Sequence, residues 1–151
     1  MGIYEIYLAK ALGNLTSARQ SLITSKETNQ KVMKNIAAYN TQQAIEFILK
    51  YLIYNSYQYN GGNSNIKELR THNLDMLIRV YCKQLGIHVP KYIADNAIKY
   101  TSWEAESRYS LHMTIRVDSI KSAIVETENW LVSIKPMFKR KLAFVRNKYR
   151  I

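Results

Sequence analysis

Residues that interrupt or cross-link a helical chain are scarce in this sequence. Its 151 residues include two prolines, five glycines and one cysteine. Because proline and glycine both destabilise helix interiors, their scarcity leaves long stretches able to form helices. One cysteine excludes an internal disulfide, and Cys82 lies in an apolar helical pattern, so we expect a buried, unreactive thiol. These shortages favour an all-α fold in one ordinary domain.

Long apolar runs and metal-ligand patterns are also lacking. No window approaches the ~20 apolar residues of a membrane span, and the N-terminus has no signal-peptide pattern, so we expect a cytoplasmic protein with no membrane partner. The histidines at 72, 88 and 112 have no metal-ligand spacing. Gly61-Gly62 is not followed by the Gly-Lys-Ser/Thr of a phosphate-binding loop. The sequence therefore predicts no metal and no cofactor.

Acidic residues are few, and they are missing from the C-terminal end. Lysine and arginine number 22 against 11 acids, and after Asn129 there are seven basic residues and no acid. We divide the chain into a helical domain, 1–136, and a basic amphipathic tail, 137–151. The tail is either a nucleic-acid contact or a solvated chain end. The candidate contacts are Lys139, Arg140, Lys141, Arg146, Lys148 and Arg150.

Helical periodicity is the main structural signal. Apolar residues recur at steps of three and four from residue 3 to about 28, and a second pattern runs from about 31 to 58. Thr28 or Asn29 is a suitable N-cap for the second helix. The two helices are predicted to form a long antiparallel hairpin.

The stretch 41–52 of the second helix is apolar on almost every side. One stripe contains Ala44, Ile48 and Tyr51, and another, about 100° away, contains Ile45, Leu49 and Leu52. A helix with two apolar faces packs against two layers. We therefore expect one stripe to form the domain core. The other is either a contact with a second subunit or is covered by the fifth helix or the tail.

Three further helices complete a predicted five-helix, up-and-down bundle. The third begins after an N-cap at Thr71 and ends at Gly86. The fourth covers about 92–100, and a capping box formed by Thr101 and Glu104 predicts a restart near Ser102. The segment 103–114 is either a short helix or an ordered loop. The fifth helix covers 117–134 and ends before Pro136.

Three short motifs give the chain a resemblance to a known family. They are Gln42-Gln43-Ala44-x-Glu46-x-x-x-Lys50 in the second helix, Thr71-His72-x-Leu74 before the third, and Glu106-Ser107-Arg108-Tyr109 ahead of the fifth. In their order and spacing they resemble the HEPN (higher eukaryotes and prokaryotes nucleotide-binding) domain, over about residues 4–136. The resemblance implies a five-helix bundle that commonly forms homodimers.

The family resemblance also implies two classes of function. Some members are metal-independent ribonuclease toxins, paired with a nucleotidyltransferase antitoxin, in which an arginine precedes a histidine by a spacer of four to six residues. Other members bind nucleotides or partners without that motif. Here Arg108 and His112 are separated by only three residues. We therefore favour a non-catalytic module that binds a nucleotide or RNA, with a ribonuclease using Arg108 and His112, or a structural interaction subunit, as alternatives.

The candidate phosphate-binding residues lie in the same motifs. Arg70 is adjacent to Thr71-His72 at a helix start, where backbone N–H groups favour an anion. Alternatively, Thr71 and His72 shape the turn, and Glu46 forms a structural ion pair with Lys50. The complete candidate set is Lys50, Arg70, Thr71, His72, Arg108 and Tyr109.

Overall fold

The computed structural model describes residues 4–59, 69–109 and 115–151, with side chains except at 58, 59 and 106–109. These residues form α1 (Glu5–Thr28), α2 (Lys31–Tyr59), α3 (74–85), α4 (Lys91–Asp95), α5 (Ala97–Tyr109), α6 (Val117–Ile134) and α7 (Lys139–Lys148), with a 3-10 turn at Pro136–Phe138. The described residues contain no strand, so the all-α prediction is confirmed. They form seven helices where the sequence predicts five, because the fourth is divided and the tail forms a helix of its own.

The first two helices form the expected antiparallel hairpin. Asn29 ends α1 in the left-handed conformation, with φ of 54°, which asparagine tolerates better than most residues. Asn29 therefore caps the end of α1, and the prediction that it is an N-cap of α2 is wrong. At the opposite end of the hairpin, the Tyr4 ring stacks on the Tyr54 ring with centroids 5.1 Å apart.

The helix α2 lies at the centre of the molecule. Ile45, Ile48 and Leu49, which come from both apolar stripes, are completely buried. The chain's own helices cover them, because α2 packs against α1, α3, α5 and α6. The interpretation of one stripe of α2 as a contact with a second subunit is therefore wrong, and the alternative, that the chain's own later helices cover it, is confirmed. A homodimer remains a prediction that rests on the family resemblance.

The helix α3 begins and ends at identifiable caps. Asn73 is its N-cap, with its side-chain oxygen accepting a hydrogen bond from the Met76 N–H at 3.0 Å, so the prediction of Thr71 as N-cap is wrong. The middle of α3, Leu77–Cys82, has π-helical hydrogen bonding. Gly86 ends α3 in the left-handed conformation, with φ of 67°, as the sequence predicts.

The predicted helix restart near Ser102 is also misplaced. The break between α4 and α5 falls at Asn96, and Thr101 lies inside α5. The Thr101 hydroxyl donates to the Ala97 carbonyl and accepts from the Leu74 N–H, so it joins α5 to the start of α3 instead of capping a helix. Helix α5 extends to Tyr109, and residues 110–114 lie outside the described residues.

The C-terminal helix α7 packs on the same core as the rest of the chain. Leu142 and Val145 are buried, and Leu142 is part of the central apolar cluster. Arg19 of α1 donates to Glu128 of α6 at 2.7 Å and to the Tyr149 carbonyl at 2.9 Å. The segment 137–151 is therefore an ordered, packed element of the fold and not a frayed end.

Candidate functional site

One face of α2 carries a row of polar residues through an otherwise apolar helix. Gln42, Glu46 and Lys50 follow one another at steps of four, so they share a helix face. All three are buried, with Gln42 at 0%, Glu46 at 8% and Lys50 at 9% exposure. Buried polar groups require hydrogen-bond partners. Their main external partner is His72, in the segment that precedes α3.

The Glu46 carboxylate is the centre of this group. Its Oε2 accepts from Lys50 Nζ at 3.0 Å, and its Oε1 accepts from Gln42 Nε2 at 3.2 Å. His72 Nδ1 lies 3.0 Å from Oε1 and 3.1 Å from Oε2. Glu46 therefore holds a buried ammonium and an imidazole at defined positions. We call these four residues, Gln42, Glu46, Lys50 and His72, the Glu46 cluster.

The imidazole of His72 is oriented so that one nitrogen faces outward. An ionised carboxylate only accepts hydrogen bonds, so Nδ1 is the nitrogen that carries the proton toward Glu46. Nε2 has no hydrogen-bond partner among the described residues. The side chain is 60% exposed, and Nε2 is thus available to a ligand. A carboxylate that orients a histidine in this way is a common arrangement in sites where histidine binds or transfers a proton.

The backbone around His72 is held by three contacts. The Leu69 N–H donates to the Tyr54 hydroxyl, and the His72 carbonyl accepts a long, 3.4 Å hydrogen bond from Gln42. The Leu74 N–H donates to Thr101 at 3.0 Å. Helices α2 and α5 thus position the entry to α3. This support places His72 on a rigid part of the fold.

The predicted phosphate-binding residues occupy different environments. Arg70 is exposed, and Thr71 accepts a hydrogen bond from the Asn73 N–H, which shapes the turn. Lys50 is buried behind Glu46, so it stabilises the carboxylate and would have to leave it to contact phosphate directly. Among these described candidates, Arg70 and His72 are the two exposed ones, and they lie two positions apart in the chain.

Three further candidates, Arg108, Tyr109 and His112, lie at or just beyond the end of α5. Arg108 and Tyr109 are the last two residues of α5, in the part whose side chains are not described. His112 lies outside the described residues. The geometry of the Arg108–His112 pair therefore stays a sequence prediction.

The tail divides into one structural arginine and a set of exposed cations. Arg146 donates to Glu128 at 2.9 Å and to the Asn129 side chain at 2.7 Å, so it is part of the fold. The Arg150 guanidinium contacts the Asn147 side chain. The exposed basic residues are Lys139, Arg140, Lys141, Lys148 and Arg150.

Sequence reasoning anticipated the ion pair of Glu46 with Lys50 but missed the contact between Glu46 and His72. These residues are 26 positions apart, and neither helical periodicity nor spacing relates them. The sequence nevertheless contained a pattern that could have predicted a partner for Glu46. Polar residues at steps of four inside an apolar helix predict a buried network, and such a network requires partners from elsewhere in the chain.

Two further features of the described residues bear on function. Residues 4–59, 69–109 and 115–151 contain no group of three or more histidine, cysteine or acidic side chains arranged to hold a metal ion. None of the helices in these ranges has the length and apolarity needed to cross a membrane.

Comparison with known proteins identifies one family. The sequence matches the HEPN domain over residues 4–131, which include all of the Glu46 cluster. Neither the curated proteins nor the solved structures contain a match to the chain. The family match covers most of the sequence and agrees with the all-helical fold. The chain therefore belongs to the HEPN domain family.

Proposed function

We propose that this protein is a binding module, without catalysis of its own, for a phosphate-bearing ligand, either a nucleotide or RNA. The observation that carries the proposal is the contact between His72 and the buried Glu46 through Nδ1, in an exposed side chain two positions along the chain from the exposed Arg70. Arginine donates hydrogen bonds to phosphate oxygens, and with Nδ1 engaged by Glu46, His72 does so through Nε2 when both of its ring nitrogens carry protons. Membership of the HEPN family supports a nucleotide-related role.

The local charges support the same ligand class. Glu46 is already saturated by Lys50, Gln42 and His72, so its negative charge is compensated inside the protein. The guanidinium of Arg70 has no ion-pair partner among the described residues. The surface at this point therefore presents donors and positive charge. A phosphate group accepts hydrogen bonds from such donors and carries the complementary negative charge.

Binding of a fluorescein-labelled, mixed-sequence RNA and of a labelled ATP analogue, measured by anisotropy at several salt concentrations, tests the proposal. The double variant Arg70→Ala/His72→Asn removes two donors and one fixed charge. We expect it to weaken binding by at least about tenfold, since each charge-assisted hydrogen bond is worth roughly 1.5–3 kcal/mol.

The matched control is Arg116→Ala/His88→Asn. Arg116 and His88 are exposed and lie outside the Glu46 cluster, so the control loses the same residue types elsewhere on the surface. We expect it to weaken binding less than about twofold. Equal weakening by both double variants would show that binding follows net charge alone, and the proposal would be wrong. Absence of binding to RNA and to the nucleotide would favour a structural interaction subunit.

Metal-independent RNA cleavage is the second candidate function. The contact of Glu46 with His72 favours it, because a carboxylate-oriented histidine can act as a general acid or base. The alternative assignment, suggested by the family resemblance although the spacer is one residue short, is Arg108 and His112. Incubating RNA in EDTA with the wild type and with His72→Asn, Arg108→Ala and His112→Ala separates the two assignments. Cleavage by the wild type that is lost in His72→Asn alone would assign catalysis to the Glu46 cluster. Loss in Arg108→Ala and His112→Ala would assign it to the family motif.

The family relationship also leads us to propose partners. HEPN domains often dimerise, and we propose a homodimer whose interface lies outside the stripes of α2, because those stripes are buried within one chain. Light scattering coupled to size-exclusion chromatography measures the dimer directly. A nucleotidyltransferase-type protein is the proposed partner if RNA cleavage is found, and a gene for such a protein beside this one would support that pairing.

A further inference from the structure

A second basic region lies at the end of the molecule where α1 turns into α2. A cleft of about 970 Å³ opens there between the α1–α2 turn, the first turns of α6 and the C-terminal residues. Its basic lining residues are Lys26, Lys31, Lys34, Lys121 and Arg150. The only acidic side chain in the lining is Glu27.

The five cations of this cleft outnumber the single acidic side chain in its lining, Glu27. None of the five forms an ion pair with a carboxylate within the described part of the chain. Arg150 bonds only to the neutral Asn147 side chain. Five cations around one cavity repel one another. Burial and the nearby charge of Lys31 lower the pKa of Lys34, as expected where positive charge is crowded.

The start of α2 adds to this positive potential. Lys31 is its first residue, Lys34 lies one turn later, and no acidic residue is present in the first turn. A helix N-terminus favours negative charge, so lysines at this position are unfavourable unless an anion lies beside them. A bound anion would compensate both the helix and the lysines.

The remaining walls are apolar. Leu22 and Ile23 of α1, Val117 of α6 and Ile151 line the cavity, and Val117 is 40% exposed. The volume is within the range of small-molecule sites, roughly 300–1,000 Å³, which combine apolar walls with a few polar groups. We propose that this cleft binds a di- or triphosphate group, with Lys31 and Lys34 contacting the phosphates. The apolar wall suits the nucleoside of a nucleoside triphosphate.

The cleft is distinct from the Glu46 cluster. Lys34 and Glu46 are 12 positions apart on the same helix, which separates them by about 18 Å along its axis at about 1.5 Å per residue. No residue of the Glu46 cluster lines the cleft. The inference therefore does not depend on the function proposed above, and each can fail without the other.

Isothermal titration calorimetry with inorganic triphosphate and with ATP, both without magnesium, tests the inference. Because the Glu46 cluster is also proposed to bind a nucleotide, the titrations use proteins that carry Arg70→Ala/His72→Asn. In that background the cleft variant Lys31→Gln/Lys34→Gln should weaken binding of each ligand at least about tenfold. The control Lys83→Gln/Lys99→Gln removes two exposed lysines from other helices and should change affinity less than about twofold. A tighter complex with ATP than with triphosphate identifies the nucleoside as part of the ligand, and equal affinities identify the phosphate group alone.

Urea unfolding of the ligand-free variants shows whether weaker binding comes from loss of the folded state. Because Lys31 and Lys34 oppose the dipole of α2, the ligand-free cleft variant should unfold at a higher urea concentration than the Arg70→Ala/His72→Asn protein, and the control should not. Equal weakening of binding by the cleft and control variants would overturn the inference. It would also be overturned if neither ligand bound the Arg70→Ala/His72→Asn protein at millimolar concentration.

Discussion

At the scale of single residues, a buried ion pair joins three helices. The Glu128 side chain is completely buried and accepts hydrogen bonds from Arg19 at 2.7 and 2.8 Å and from Arg146 at 2.9 Å. Arg19 is itself 4% exposed. A buried cation that loses its counter-charge is strongly destabilising, because neither water nor protein compensates it.

Neutralising Glu128 should therefore be costly. We expect Glu128→Gln to lower the free energy of unfolding by roughly 3–5 kcal/mol. Asp95→Asn is the matched control, since it also converts an acid to its amide, but in an exposed i,i+4 pair with Lys91; it should cost less than about 1 kcal/mol. Urea denaturation followed by circular dichroism measures both. Similar midpoints for the two variants would contradict the assigned role of Glu128.

The thiol of Cys82 provides a pH-dependent prediction. Burial raises its pKa from 9.0 to about 12, and the side chain is 1% exposed. Between these two pH values the unfolded chain loses the thiol proton while the folded protein keeps it, so stability falls as pH rises through this window. We expect the urea midpoint to decrease more between about pH 8 and about pH 10.5 for the wild type than for Cys82→Ala.

The comparison with Cys82→Ala isolates this one group. Tyr100, whose pKa burial also raises, titrates in both proteins and cancels in the difference. Parallel decreases of the two midpoints would show that Cys82 is not responsible. The same burial predicts that iodoacetamide alkylates Cys82 slowly in the native protein and rapidly in urea, because the thiolate is the reactive form.

At the scale of the helix, two glycines in different conformations have opposite expected effects. Gly13 is an exposed residue inside α1, and Gly86 ends α3 with φ of 67°; a Cβ added at either position meets no atom within 4 Å. The two glycines therefore do not differ in the space available for a Cβ. They differ in backbone conformation, because Gly13 is helical and Gly86 is left-handed.

Substitution by alanine separates these two conformations. Gly13→Ala should stabilise the protein by about 0.5–1 kcal/mol, because alanine loses less conformational freedom in a helix. Gly86→Ala should destabilise it by about 1–2 kcal/mol, because the left-handed conformation is strained for a residue with a Cβ. Urea midpoints of the two variants check both signs. A stabilising Gly86→Ala would contradict the observed C-cap.

At the scale of the whole molecule, three of the acidic residues form contacts that stabilise the fold. Glu5 accepts from Lys135, Glu46 from Lys50, and Glu128 from two arginines. These contacts join helices or stabilise buried groups, so they leave much of the +11 charge at the surface. Part of that charge lines the cleft at the α1–α2 turn, and part lies on α7. The net positive charge is thus concentrated on particular surfaces of the fold.

The C-terminal helix is expected to unfold together with the rest of the molecule. Leu142 is 1% exposed and belongs to the central core, whereas Phe144, two residues later, is 66% exposed. Leu142→Ala should lower the free energy of unfolding by about 2–5 kcal/mol, and Phe144→Ala should change it by less than about 0.5 kcal/mol. Thermal denaturation should show one transition for each protein. A small effect of Leu142→Ala would indicate that residues 137–151 contribute little to the core.

The features determined by the sequence alone are local ones. Apolar steps of three and four placed α1, α2 and α6 to within a few residues, and Gly86 marked the end of α3 correctly. These features arise from interactions between residues a turn or less apart, so they are encoded wherever the local pattern occurs. The buried, unreactive environment of Cys82 was likewise evident from its place in an apolar stripe.

Only the tertiary structure decided which groups meet. Asn73, and not the predicted Thr71, caps α3, and Thr101 binds the Leu74 N–H from another helix instead of capping its own. The second stripe of α2 is covered by the chain itself, and Glu46 meets His72 across 26 residues. Such contacts depend on how the helices pack, and local periodicity carries no information about that arrangement. The complete Glu46 cluster and the basic cleft therefore could not be predicted from the sequence, because each brings together residues that only the packing of the helices places side by side.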